Sequence, residues 1–285
     1  MPGRKRMAWV VLVACLCIGA LFGAGSLRSV AQTYRERGAY LVDALAACGN
    51  CHTPHDAASK PIPGMELAGG REFDIEAGHI VGPNITPDRD TGIGDWSIGQ
   101  IVYALRNGKR PDGTLIGPPM PIEFYRQLSD RDGEAIAVYL KSLKPVRHQV
   151  ARSQYKVPMP PSYGPVIGHV AEPNPRDKIA YGAYLAGPVA HCIECHTPHD
   201  GARLDLSRLG VGGRDLPDLG NPEARTVSRN ITSDLSFGGQ ALKESERLNI
   251  AVGNTFAGPG VSAVSSAAVT AGGEAYSQKA TIGYL

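Results

Sequence analysis

At 285 residues the chain is long enough for two domains of ordinary size. Its 35 glycines, 22 prolines and 6% aromatic content argue against a strand-rich architecture around a large aromatic core. The formal charge of +2 comes from the N-terminus: without Arg4, Lys5, Arg6 and Arg28, the 29 basic residues fall to 25 against 27 acidic ones, a balance of −2, and no basic stripe recommends nucleic acid as a partner.

The chain opens with basic MPGRKR, and Met7 to Leu27 carry no charge, the pattern of an export signal. This 21-residue run exceeds an ordinary signal core of about 7 to 15 residues and reaches the roughly 20 needed to span a bilayer. Three outcomes stay open for residues 1–31: cleavage after Ser29-Val30-Ala31, retention as a membrane anchor, and lipidation at Cys15, whose context matches only weakly. Each leaves the rest of the chain in the periplasm or on the periplasmic face of the inner membrane, because the basic end stays inside.

Next comes a predicted helix over Tyr34 to Ala47, with Tyr40, Leu41 and Leu45 on one side, running into CGNCHTPHD (48–56). A long glycine-rich loop follows. A second helix, Ser97 to Asn107, places Ile98, Ile101, Val102 and Leu105 at helical spacing and stops at Gly108, a natural C-cap. The loop Pro111 to Pro121 carries GPPMP. Ser129 then caps a third helix bearing Ile136, Tyr139, Leu140 and Leu143 and ended by Pro145. Residues 148–176 are proline-rich with few periodic apolar positions and read as an extended, semi-rigid linker.

Beyond the linker the chain repeats itself. GAYLAGPVAHCIECHTPHD (182–200) matches GAYLVDALAACGNCHTPHD (38–56) at an offset of 144; Gly-Gly-Arg recurs at 69–71 and 212–214; PNITPD (83–88) is answered by RNITSD (229–234). The expected organisation is therefore a first domain over 32–147, the linker, and a second domain over 177–285 whose repeat is recognisable to about residue 235. Outside the N-terminal segment every cysteine belongs to one of the two nine-residue motifs.

Cys-x-x-Cys-His is the attachment signature of c-type haem: two thiols three residues apart form thioethers with the porphyrin, and the adjacent imidazole reaches the iron. Three other readings compete. A four-cysteine zinc site ordinarily has its pairs about 15 to 20 residues apart, whereas here a domain length separates them. A thioredoxin-like motif requires a βαβ context, which is absent, and structural disulfides leave both histidines unexplained. Two covalently bound haems are expected, on Cys48 and Cys51 with His52, and on Cys192 and Cys195 with His196. Met65 and Met120 are the candidate distal ligands of the first iron. Met65 lies only thirteen residues past His52, a short path to the far face, while the proline-stiffened loop of Met120 can close over a ring; a His/Met pair follows the pattern of electron-carrying cytochromes.

CGNCHTPHD, GPNITPDRDTGIGDWS, the glycine-ended helix and GPPMPIEFYRQLSDRDGEAIAVYLKSLKPV together resemble the cytochrome c subunits of membrane-bound alcohol, gluconate and related dehydrogenases. The likeness is close over 36–147 and fair over 180–235. It implies an all-α fold of two class I-like cytochrome c domains in tandem, His52 and Met120 as the axial pair, and electron flow from a periplasmic or membrane-bound dehydrogenase to quinone or a terminal oxidase. That family commonly carries three haem motifs; this chain has two.

The second copy departs from the first. After His199 there is neither Met nor His, the counterpart of Met120 is Ser266, and the counterpart of the third helix runs past Leu285. The second iron is left with an open position, a linker ligand (His148, Met159 or His169), a harder ligand such as Lys243 or Lys279, or a tail from residue 236 that is not a native domain end. His55, His199, His79 and His191 read as structural. The expected protein is an electron relay without bond chemistry of its own; the alternative is a peroxidase-like enzyme using an open second iron, for which the sequence offers no convincing distal acid or base.

Overall fold

The computed structural model describes residues 34–200, 203–217 and 225–232, so the export segment, Lys243, Lys279 and the stretch 233–285 lie outside the described residues. Among the described residues no helix is long and apolar enough to cross a membrane.

The first copy is built on three helices whose ends follow from their sequences. Helix α1 covers residues 34–39 and continues as a π-helical segment, Tyr40–Leu45; a single turn, α2 (Gly49–His52), carries the first motif. Helix α3 (Ile98–Asn107) starts at Ser97 with a full capping box, Ser97 and Gln100 each satisfying the other's backbone N–H, and stops at Gly108 in the left-handed conformation that glycine adopts without strain. A short turn, α4 (Ile122–Tyr125), follows the methionine loop, and α5 (Asp130–Ser142) begins at Ser129, whose hydroxyl accepts the Asp132 N–H.

Leu41 and Val42 of α1, Ile101 of α3, Tyr125 of α4 and Ile136 and Leu140 of α5 are buried in one cluster. Complete burial of a side chain such as Leu41 or Leu128 contributes about 1.5 to 3 kcal/mol. Helices α1 and α5 cross where Gly38 has no side chain: a Cβ there would overlap the Ala135 carbonyl and lie 2.5 Å from the Tyr139 Cβ.

Among the described residues helix predominates over strand, and the expectation of an all-α fold is corrected by short hairpins inside the glycine-rich loops. Strands β1 (Glu72–Ile75) and β2 (Gly78–Val81) pair antiparallel with Phe73 opposite Ile80. The cause is local alternation: Phe73 and Ile80 are buried while Glu72 and Asp74 face solvent, the period-two pattern of a half-buried ladder.

Residues 148–176 do more than connect the copies. They form a strap bound along the first copy. Strand β3 (Gln154–Tyr155) adds to β2 with Gly78 opposite Tyr155. Further along, the Asn107 side chain exchanges two hydrogen bonds with the Ile167 backbone, and Asp130 exchanges two with Val170 through its backbone N–H and its carboxylate. Prolines removed the local periodicity but left carbonyls and amides for these long-range bonds.

The strap delivers the chain to α6 (Lys178–Tyr184), continued by the π-helical segment Leu185–Val189, and then to α7 (Cys192–His196), which holds the second motif. Strands β4 (His199–Asp200) and β5 (Arg203–Leu204) form one small hairpin; β6 (Asp215–Pro217) and β7 (Arg225–Val227) form another, with Leu216 opposite Thr226. That pair is the repeat counterpart of Phe73 and Ile80.

Candidate functional site

Both motifs are prepared by the same backbone device. The helix ahead of each widens into a π turn, a feature concentrated at functional positions. The residue just before the first cysteine then turns left-handed, Ala47 at φ 47° and His191 at φ 40°. A left-handed conformation costs a non-glycine residue about 1 to 2 kcal/mol. Neither residue announces this in the sequence. The bend it makes starts a fresh turn on which Cys48, Cys51 and His52 share one face, as do Cys192, Cys195 and His196.

Each histidine is then oriented from behind. His52 is buried and its Nδ1–H donates to the Pro83 carbonyl at 2.8 Å; His196 Nδ1–H donates to the Arg229 carbonyl at 2.7 Å. A carbonyl only accepts, so Nδ1 carries the proton and Nε2 keeps its lone pair. This arrangement orients and tunes a metal-binding imidazole. Burial lowers the His52 pKa while the Pro83 carbonyl pulls the other way.

The acceptors sit at equivalent places in PNIT and RNIT, held by matching loops. Gly69 and Gly212 donate to the carbonyls of His52 and His196, both at 2.7 Å. Thr53 and Thr197 accept from Leu67 and Gly210 at 3.0 and 3.1 Å. Arg71 and Arg214 reach back to the carbonyls of Asn50 and Glu194. Asn84 and Asn230 each accept the N–H and hydroxyl of the threonine two residues on. The sequence shows the PNIT repeat; only folding shows that it supplies the acceptor.

The donor set fits a covalently bound haem. The four motif cysteines form no disulfide among the described residues. Burial raises each of them, Cys48 to about 12. Cys48 and Met120 both pack against the same buried cluster, as do Ile85, Trp96, Ile98 and Leu105, whereas Met65 is not part of it. The cysteine pairs are not gathered into a zinc-type cluster: among the described residues no three His, Cys, Asp or Glu side chains converge to hold a metal.

The other expected residues fall as follows. His55 Nδ1–H donates to the Thr53 carbonyl at 2.9 Å, and His199 Nε2 is buried with no hydrogen-bond partner among the described residues. His79 lies between Glu72 and Asp74 on the exposed hairpin. Of the strap candidates for the second iron, His148 Nδ1–H donates to the Ala68 carbonyl at 3.0 Å and His169 pairs with Asp130, so the first copy engages both; Met159 is half-buried.

The two copies meet next to the second motif. His191 packs edge-on against Tyr125, with ring centroids 5.9 Å apart, and at 6.3 Å from Phe124. After burial, the Arg71 charge lowers and the Glu194 charge raises the Cys51 pKa, which brings the second motif into the field of the first. Behind this contact Asp132, fully buried, receives two 2.8 Å bonds from Arg37 and one of 2.8 Å from the Tyr184 hydroxyl, which also accepts the Ser129 N–H at 3.1 Å. Sequence reading places Asp132 only in a helix's first turn and gives Tyr184 no role.

No family model matches the chain. It is similar to the cytochrome c subunit of a quinone-dependent alcohol dehydrogenase from Gluconobacter oxydans, 30% identical over 225 residues covering 74% of this chain and 44% of the relative. The cytochrome subunit of a fructose dehydrogenase from Gluconobacter japonicus is 34% identical over 194 residues, covering 64% of this chain and 38% of the relative. A dihaem c-type cytochrome from Cereibacter sphaeroides is 31% identical over 196 residues, covering 65% of this chain and 63% of the relative. The chain thus spans less than two thirds of each. The resemblance to cytochrome c subunits of alcohol, fructose and gluconate dehydrogenases stands.

Proposed function

We propose that the chain is a dihaem c-type cytochrome that relays single electrons. The observation that carries this is the twofold occurrence of one arrangement: a Cys-x-x-Cys-His turn whose histidine donates Nδ1–H to a backbone carbonyl. In this reading Cys48 and Cys51 tether one haem, with His52 Nε2 and the Met120 sulfur on its iron, and Cys192 and Cys195 tether a second, with His196 on its iron. Haem supplies the one-electron chemistry; the chain binds it, orients it and excludes water. Two cytochrome c domains, 32–147 and 177–285, are joined by the strap 148–176. The contact of His191 with Tyr125 supports a relay over two independent sites, because it holds the residue just ahead of the second attachment turn against α4 of the first copy.

The names of the relatives favour a dehydrogenase as electron donor; quinone or a terminal oxidase as acceptor, at the periplasmic face of the membrane, is the reading that the sequence resemblance and the basic, then uncharged, N-terminal segment support. The test is ligand replacement in the purified full-length protein. Met120→Ala is expected to abolish the sulfur-to-iron charge-transfer band and lower one midpoint potential; an unchanged spectrum refutes Met120 as ligand. Electron paramagnetic resonance of the oxidised protein counts the ligands at the second site, and zinc in place of haem absorbance overturns the reading altogether.

A further inference from the structure

The strap does more than join the two copies: it crosses the loop that carries Met120. Its tyrosines make the closest contacts. The Tyr163 hydroxyl donates to the Ile116 carbonyl at 2.6 Å, and its ring lies so near Gly108 that a Cβ there would come within 2.5 Å of it. The Tyr155 ring covers Gly117, where a Cβ would lie 2.6 Å from the phenol oxygen. Gly117 in turn accepts the Met120 N–H at 3.3 Å. Both stems of the loop are also held: Asn107 ahead of it binds Ile167, and Arg126 behind it donates to the Pro165 carbonyl at 2.6 Å.

We propose that the strap is a clasp for the methionine loop, with Tyr163 and Tyr155 as positioning residues that keep the Met120 sulfur in place. This rests on the reading of Met120 as an axial ligand. The physical reason is that the loop's backbone bonds hold it to itself. Between Gly108 and Met120 they close a small hairpin, with Ile116 N–H to Gly108, Arg110 N–H to Thr114 and Lys109 bridged to Leu115, and none of these bonds ties the loop to the rest of the first copy. The contacts that fix it from outside at residues 116 and 117 come from the strap. Removing one of them raises the fraction of time in which the sulfur is away from the metal, and an added ligand captures that fraction with an apparent affinity proportional to it.

The experiment titrates the oxidised full-length holoprotein with imidazole while following loss of the sulfur-to-iron charge-transfer band, which reports only the methionine-ligated site. Tyr163→Phe removes one hydrogen bond and keeps the ring; it is expected to tighten imidazole binding by about three- to tenfold, the usual range for one such bond. Tyr155→Ala, which also uncovers Gly117, is expected to tighten it further. Tyr103→Phe, on the outer side of α3, is expected to match the parent protein. Parent-like imidazole affinity in both strap variants overturns the clasp. A band that survives Met120→Ala overturns the underlying ligand assignment instead, so the two failures are told apart.

Discussion

Tyr184→Phe removes a single oxygen from the junction of the two copies and leaves every apolar contact in place. That oxygen donates to the carboxylate of Asp132, itself fully buried, and accepts the buried backbone N–H of Ser129. A hydrogen bond to a charged group is worth about 1.5 to 3 kcal/mol, and a buried donor left unpaired costs about 1 to 3 kcal/mol. The two overlap, because Asp132 keeps both bonds from Arg37. A loss of about 2 to 4 kcal/mol is expected, or about a 30- to 700-fold rise in the open population. It should appear in amide exchange of α6, whose docking the hydroxyl secures, and as a lower denaturant midpoint. Burial and Asp132 together raise the Tyr184 pKa. The native state therefore holds this proton more tightly, and its contribution is complete below the unfolded phenol pKa of about 10 and declines as pH rises beyond it; the variant should lack that alkaline component. A change under about 0.5 kcal/mol in both measurements refutes the reasoning, since it means that water replaces the hydroxyl at no cost.

Gly38 and Gly182 occupy the same place in the repeat but meet different surroundings. Gly38→Ala is expected to cost about 3 kcal/mol, because Ala135 backbone stands in the way. At Gly182 nothing among the described residues lies within 4 Å of a Cβ, so Gly182→Ala should gain about 0.5 to 1 kcal/mol of helix stability; a loss like that at Gly38 in thermal denaturation contradicts this. Burial alone would raise the Asp130 pKa, but the Val170 N–H, Arg106 and His169 outweigh it and hold the carboxyl below its ordinary value. Its contribution to strap docking is thus present above the unfolded value of about 3.9 and lost as pH falls through the native one. The Val170 amide resonance should titrate in that acid window, and Asp130→Asn should remove the transition; a midpoint above 3.9 contradicts the sign.

How far each feature could be read in advance depends on how far apart its parts lie. Helices α3 and α5 were legible to within a residue at their starts because Ser97 and Ser129 cap them through neighbours three positions away, and Gly108 and Pro145 act as local stops. The β1–β2 hairpin was hidden by its shortness, four residues a strand within a glycine-rich run. The docking of the strap was not legible because proline content reports local stiffness and says nothing of long-range contacts: Tyr163 finds its acceptor 47 residues away and Arg126 finds Pro165 at a distance of 39.

By itself the sequence determined that two thiols and an imidazole stand within five residues, twice over, because that spacing is local and holds whatever surrounds it. It also singled out Met120 as a candidate ligand, from the single copy that keeps a methionine loop. Tertiary structure alone decided which atoms stand behind the histidines, Pro83 and Arg229 carbonyls 31 and 33 residues away, and that Ala47 and His191 turn left-handed to present the motifs. It also decided that the strap lies on the methionine loop and that His191, just ahead of the second motif, packs on Tyr125 of the first copy. These are pairings between distant polar groups and rings. They exist only once burial has removed water as the competing partner, and so no local pattern of residues records them.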